Sequence, residues 1–131
     1  MTGPSFPRAL LILNSLAIGL IGLLYLLDPN LLLSVYGLET GSAGMDNMLR
    51  ASYGGLYLGS AALFMIGARS AERQRDALAF LALFMAAAAL GRVASMIAVG
   101  APPLTIGMLL AYECVVAVLA LLAYGRSVEL A

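Results

Sequence analysis

Four apolar stretches, each nearly as long as a bilayer is thick, constrain this chain more than any other feature. The hydrocarbon core of a membrane takes about 20 apolar residues per helix. Spans are expected over about residues 9–27, 49–68, 76–99 and 104–124. Hydrophobic residues make up 63% of the sequence and charged ones 11%, against about 45–50% and 25% in soluble domains. A soluble fold of this size could not bury that much apolar surface; lipid accepts it. Pro4, Pro7, Pro29, Pro102 and Pro103 all fall outside the four stretches, where a missing N–H breaks no helix. The expected fold class is therefore all-α: a polytopic membrane protein, a four-transmembrane-helix bundle, with residues 1–131 as a single transmembrane domain. The first stretch follows Arg8 as a signal peptide would. Its end, Leu24-Tyr25-Leu26-Leu27-Asp28, offers no small-residue cleavage site, so it reads as an uncleaved anchor.

Between spans one and two, Pro29 to Tyr36 is apolar but too short to cross, and Gly37 follows as a stop. A short interfacial helix is expected there, at the membrane surface or folded over the mouth of the bundle. Asp46 is expected to cap the second span.

The arginines set the orientation. Arg69, Arg73 and Arg75 lie between spans two and three, with Arg8 near one terminus and Arg126 near the other. The opposite side holds Asp28, Glu39 and Asp46 and the uncharged turn Gly100-Ala101-Pro102-Pro103. The positive-inside rule then places both termini in the cytoplasm. Seven acidic residues balance seven arginines, so nucleic acid is not an expected partner, since phosphate binding needs a basic face. Histidine and lysine are absent, which removes histidine-ligated haem or metal, imidazole catalysis and lysine Schiff bases. No cofactor and no metal are expected. Cys114 is the sole cysteine, so no intrachain disulfide can form.

Charge inside a membrane is expensive, about 2.5–3.5 kcal/mol for a central arginine or aspartate, so Arg92 and Glu113 come first among candidate functional residues. Arg92 precedes Val99 by seven residues and Glu113 follows Leu104 by nine. At 1.5 Å per residue these positions are roughly 10 and 14 Å deep. Adjacent antiparallel helices thus bring them level, as an ion pair or as a shared polar site. Arg50 stands at the start of span two, with Tyr53 and Tyr57 at i+3 and i+7 on the same α-helical face. Ser95 and Met96 continue the Arg92 face outward. Together Arg50, Tyr53, Tyr57, Arg92, Ser95 and Glu113 are the expected ligand-binding residues, lining a cavity open to the outer side with residues 31–36 as its cover. If chemistry occurs, Glu113 is the one carboxylate placed to move a proton. Asn14, the lone amide in span one, is expected to hydrogen-bond across helices, and Asp28 to be exposed or paired with Arg50. Gly55 and Gly59 form a GxxxG extended by Ala51, and Ala87, Gly91 and Ser95 repeat small residues at that spacing in span three. Such strips let helix backbones approach closely, here within one subunit.

The run LRASYGGLYLG, the later GRVAS, Glu113 in span four and the segment DPNLLLSVYG together resemble a family of small bacterial four-helix membrane proteins classed as a domain of unknown function. The resemblance covers residues 28–113, and Arg50, Tyr53, Gly54, Gly55, Arg92, Ser95 and Glu113 match its pattern. It implies a bacterial inner (cytoplasmic) membrane and brings no activity with it. Family members often carry an aspartate before the glycine of the last outer turn; Val99 stands there in this chain.

Two kinds of function fit these residues. One is an outward-facing intramembrane pocket that binds a lipid-like or anionic small ligand, which suits two arginines. The other is a non-catalytic accessory subunit, packed by its small-residue faces against a larger membrane protein or a second copy. A small multidrug exporter would need a carboxylate in span one, where only Asn14 is available. Membrane lipid is an expected partner in every case.

Overall fold

The computed structural model describes residues 6–100 and 103–129. Four helices are long and apolar enough to cross a membrane: span one (Phe6–Leu27), span two (Ala43–Arg69), span three (Ala71–Val99) and span four, which is helical over Leu104–Glu129. Each packs chiefly on its neighbour in sequence, giving an up-and-down bundle. The protein is an all-α, four-helix membrane bundle, and no strand occurs among the described residues.

The distribution of side chains is inside-out. Leu13, Leu83 and Ile97 are 65%, 70% and 82% exposed, whereas Asn14, Ser15, Ser60 and Glu113 are buried. A water-soluble protein could not tolerate that outer surface, but lipid is as apolar as leucine. Every buried polar group named has a partner, as a low-dielectric interior requires. Ser15 donates to the Ala61 carbonyl across spans one and two at 2.7 Å, and Ser60 donates back along its own helix to Leu56 at 2.9 Å.

The core is built around the fully buried Phe64, Leu11, Leu78 and Leu81, with many alanines filling the close helix contacts. Glycine permits two of those contacts. A Cβ on Gly22 would stand 3.0 Å from the Leu58 nitrogen, and one on Gly54 would stand 3.2 Å from the Leu26 backbone. Spans one and two therefore touch backbone to backbone through Gly22 and Gly54. Gly55 and Gly59, the expected packing motif, are exposed, and a Cβ on Gly59 would meet nothing within 4 Å. Among the described residues, no neighbouring helix packs on Gly59.

Residues 30–33 form one α-turn that continues as a 3₁₀ turn over Ser34–Tyr36. It ends as expected at Gly37, which takes φ 70° and returns its N–H to Ser34 at 3.0 Å; that left-handed conformation favours glycine. Span two begins earlier than its apolar stretch. Ser42, not Asp46, caps it, accepting from the Met45 N–H at 3.2 Å. The helix is already under way at Asp46, which leaves that carboxylate free for a partner one turn on.

Candidate intramembrane site

Residues 50–55 of span two adopt π-helical geometry. Such segments interrupt α-helices rarely and often at functional positions. An i→i+5 turn holds one residue more than an α-turn, and one residue is roughly 100° of rotation. The π segment, which contains both Arg50 and Tyr53, changes the α-helical count that would set Arg50 and Tyr53 on one face with Tyr57.

Arg50 accordingly faces the end of span one. Its Nε donates to Asp46 Oδ2 at 2.7 Å. Its Nη1 donates to the carbonyls of Leu26 and Leu27, the latter at 2.8 Å. These are among the last carbonyls of span one, which have no partner within the helix. Arg50 closes that terminus, and it is not among the residues lining either cavity described below. Asp28 does not pair with it: Asp28 Oδ1 accepts from the Asn30 N–H at 3.0 Å, starting the short turn.

Arg92 and Glu113 meet as their depths require. The Arg92 Nε–H is shared between both Glu113 oxygens, at 2.9 and 2.8 Å. The Glu113 side chain is 9% exposed and that of Arg92 30%. Among the described residues, the two terminal nitrogens of Arg92 have no protein acceptor. Next to Glu113 on span four, the Tyr112 hydroxyl donates to Asn14 Oδ1 at 2.8 Å, while Asn14 Nδ2 donates to the Leu10 carbonyl. Asn14 thus makes the expected cross-helix bond, and it ties span one to span four. Tyr112 as its partner was not legible in the sequence, because a tyrosine next to an acid in an apolar run carries no spacing signal.

Two cavities meet at Arg92. The larger, about 530 Å³, lies between spans two and three and is lined by Tyr53, Tyr57, Gly91, Arg92, Ser95 and Met96, among others. Its floor is the small-residue strip Ala87, Gly91 and Ser95. That strip does not bring a neighbouring helix in; it leaves a gap, and all three residues are exposed along it. The gap has a cause in the packing. Spans two and three come together at the Arg-rich end, where a Cβ on Gly67 would overlap Ala77. At the other end, residues 50–55 pack chiefly on span one. The smaller cavity, about 160 Å³, reaches Glu113 and is walled by Tyr25, Tyr36, Tyr53, Tyr57, Phe84 and Tyr112 with aliphatic residues between them. Leu32 and Tyr36 of the short turn belong to its lining. Ring contacts run Tyr25–Tyr53 at 5.1 Å, Tyr53–Tyr57 at 5.4 Å and Tyr57–Phe84 at 5.5 Å between centroids, in tilted and edge-on geometries that aromatic pairs favour.

Five of the six expected binding residues are therefore gathered at these two cavities, and Arg50 is not. The walls are rich in donors. Besides the Arg92 terminal nitrogens, the hydroxyls of Tyr53, Tyr57 and Ser95 have no protein partner among the described residues. The lone local acid, Glu113, is already engaged by Arg92. Among the described residues no three cysteine, aspartate or glutamate side chains gather as metal ligands. The arrangement can hold a group that brings acceptors of its own.

The family described as Domain of unknown function (DUF4345) matches residues 6–124, and the chain belongs to it. No curated protein and no solved structure matches the chain.

Proposed function

We propose that this member of the family binds a lipid-like small molecule carrying acceptor atoms or negative charge, in the cavity between the outer halves of spans two and three. The observation that carries this reading is the free end of the Arg92 guanidinium on the wall of a 530 Å³ cavity. An arginine kept only to fix helix packing needs a carboxylate and no adjoining space. Here Nε answers to Glu113, the terminal nitrogens have no protein acceptor among the described residues, and Arg92 lines a gap of the size ligand sites have, about 300–1,000 Å³. Tyr57 and Ser95 add neutral donors on the same walls, so an incoming acceptor group would be met by several N–H and O–H groups. Glu113 acts in this reading as the partner that orients Arg92, and no reaction is assigned to it.

The arginine distribution supports a cytoplasmic Arg-rich end with both termini on that side. The cavity then opens toward the outer side. One feature favours a second reading, the accessory subunit: the strip Ala51, Gly55 and Gly59 is exposed among the described residues, and a Cβ on Gly59 would meet nothing within 4 Å. Native mass spectrometry of the protein released gently from its own membrane separates the two. A small molecule retained by the wild type and lost from Arg92→Met/Glu113→Gln supports the pocket. A stoichiometric protein partner with no retained small molecule supports the subunit and overturns the pocket.

A further inference from the structure

Resting on the pocket reading, we infer that the ligand is a single-chain amphiphile with a carboxylic acid head. Its carboxylate sits on the two terminal nitrogens of Arg92, and its chain runs along the groove floored by Ala87 and Gly91.

The head is argued from the guanidinium. Arginine presents its N–H groups as planar forks, and a carboxylate fits such a fork with two parallel bonds. Glu113 occupies Nε alone, so the end-on fork formed by Nη1 and Nη2 remains for a second planar anion. The hydroxyls of Tyr57 and Ser95 line the same cavity and have no protein partner among the described residues; they can donate to the outer lone pairs of that carboxylate. Depth narrows the class further. Arg92 is seven residues below Val99, roughly 10 Å at 1.5 Å per residue. A permanently charged phosphodiester pays heavily to descend so far into an apolar layer. A carboxylic acid can make the descent neutral and lose its proton on reaching Arg92, to water in the open cavity.

The chain is argued from shape. Ala87 and Ala88 lie about a turn deeper than Arg92, so a head on Arg92 leaves the groove continuing toward the bilayer centre, the way a lipid chain points. Ala87 and Gly91 are exposed along this groove, so no side chain fills it. The cavity runs from Ala87 to Gly100, so a chain leaving a head on Arg92 follows the narrow strip of Ala87 and Gly91 for about one turn and then continues among the lipid chains.

The test is binding of defined probes to the purified full-length chain in nanodiscs of zwitterionic lipid. The probes are palmitate, its methyl ester, hexadecyl phosphate and phosphatidylglycerol. Two variants accompany the wild type. Arg92→Met/Glu113→Gln removes the fork and its partner together. Gly91→Leu fills the groove and leaves the charges, at a position where an added Cβ meets nothing within 4 Å. Saturable palmitate binding is expected, weakened about tenfold or more for the methyl ester and in both variants, since a charge-assisted bidentate pair is lost or obstructed. Binding of hexadecyl phosphate or phosphatidylglycerol in preference to palmitate, still abolished by the variants, would overturn the carboxylic acid and leave the pocket standing. Failure of every probe, or palmitate binding indifferent to both variants, would overturn the carboxylic acid and the pocket together.

Discussion

Breaking the Arg92–Glu113 pair from its two sides should have unequal consequences. The two side chains differ in surroundings: Glu113 is 9% exposed, Arg92 is 30% exposed, and the contact is 2.8 Å. Removing one partner of a buried pair typically costs about 3–5 kcal/mol, because the other charge is left without compensation. Arg92→Met belongs in that range, since among the described residues the hydrogen bonds of the Glu113 carboxylate all come from Arg92. Glu113→Gln is milder. Its amide oxygen can still accept from Nε, and the stranded guanidinium borders an open cavity, so a loss of about 1–3 kcal/mol is expected, nearer that of a single charged hydrogen bond. The double variant Arg92→Met/Glu113→Gln removes both charges and should lie within about 1–2 kcal/mol of the wild type, less damaged than Arg92→Met alone. Equilibrium unfolding in mixed detergent micelles reads all four proteins, and each 1.4 kcal/mol is about a factor of ten in the folding constant. Single variants as stable as the wild type would refute the pair. A double variant that loses the sum of the single losses would show that the two residues do not interact.

Other positions separate packing from function. Gly22→Ala should destabilise by about 1–3 kcal/mol, the range for overpacking a tight contact, because its Cβ would meet the span-two backbone at 3.0 Å. Gly59→Ala should change the unfolding free energy of the monomer by no more than about 0.5 kcal/mol; equal losses at the two glycines would contradict the packing described. Arg50→Ala should cost about 1–3 kcal/mol through the uncapped carbonyls of span one, while ligand retention measured by native mass spectrometry stays unchanged; lost retention with an intact fold would return Arg50 to the site. With Cys114 replaced by alanine, a cysteine at position 42 should react in intact cells with an impermeant thiol reagent and one at position 70 only after lysis. The reverse pattern would invert the orientation.

The bundle was legible because lipid removes most alternatives. Four long apolar runs with every proline outside them admit little besides four crossing helices. The Arg92–Glu113 contact was legible for a related reason: charge in an apolar layer must be compensated, and a tight turn fixes the relative depth of two antiparallel helices. Phase was harder. Placing Arg50 with Tyr53 and Tyr57 assumed 100° per residue, and the π segment at residues 50–55 breaks that count without a spacing signal of its own. Small-residue strips misled in a similar way. GxxxG at Gly55 and the Ala87–Gly91–Ser95 series look alike in sequence, yet the close backbone contacts fall at Gly22, Gly54 and Gly67. Whether a strip draws a helix in or leaves a gap depends on where the neighbouring helix goes. Here the neighbour, residues 50–55, is held on span one, and the strip on span three becomes the floor of the cavity.

The most direct measurement is an experimental structure of the protein in a lipid nanodisc, carrying whatever it retains from its membrane. The account predicts a gap between the outer halves of spans two and three, with non-protein density within hydrogen-bond distance of both terminal nitrogens of Arg92 and continuing past Gly91. It predicts Glu113 still on Nε. Tyr53 and Tyr57 closed directly onto Ala87, Gly91 and Ser95, with the Arg92 terminal nitrogens bonded inside the protein and no density beside them, would contradict it.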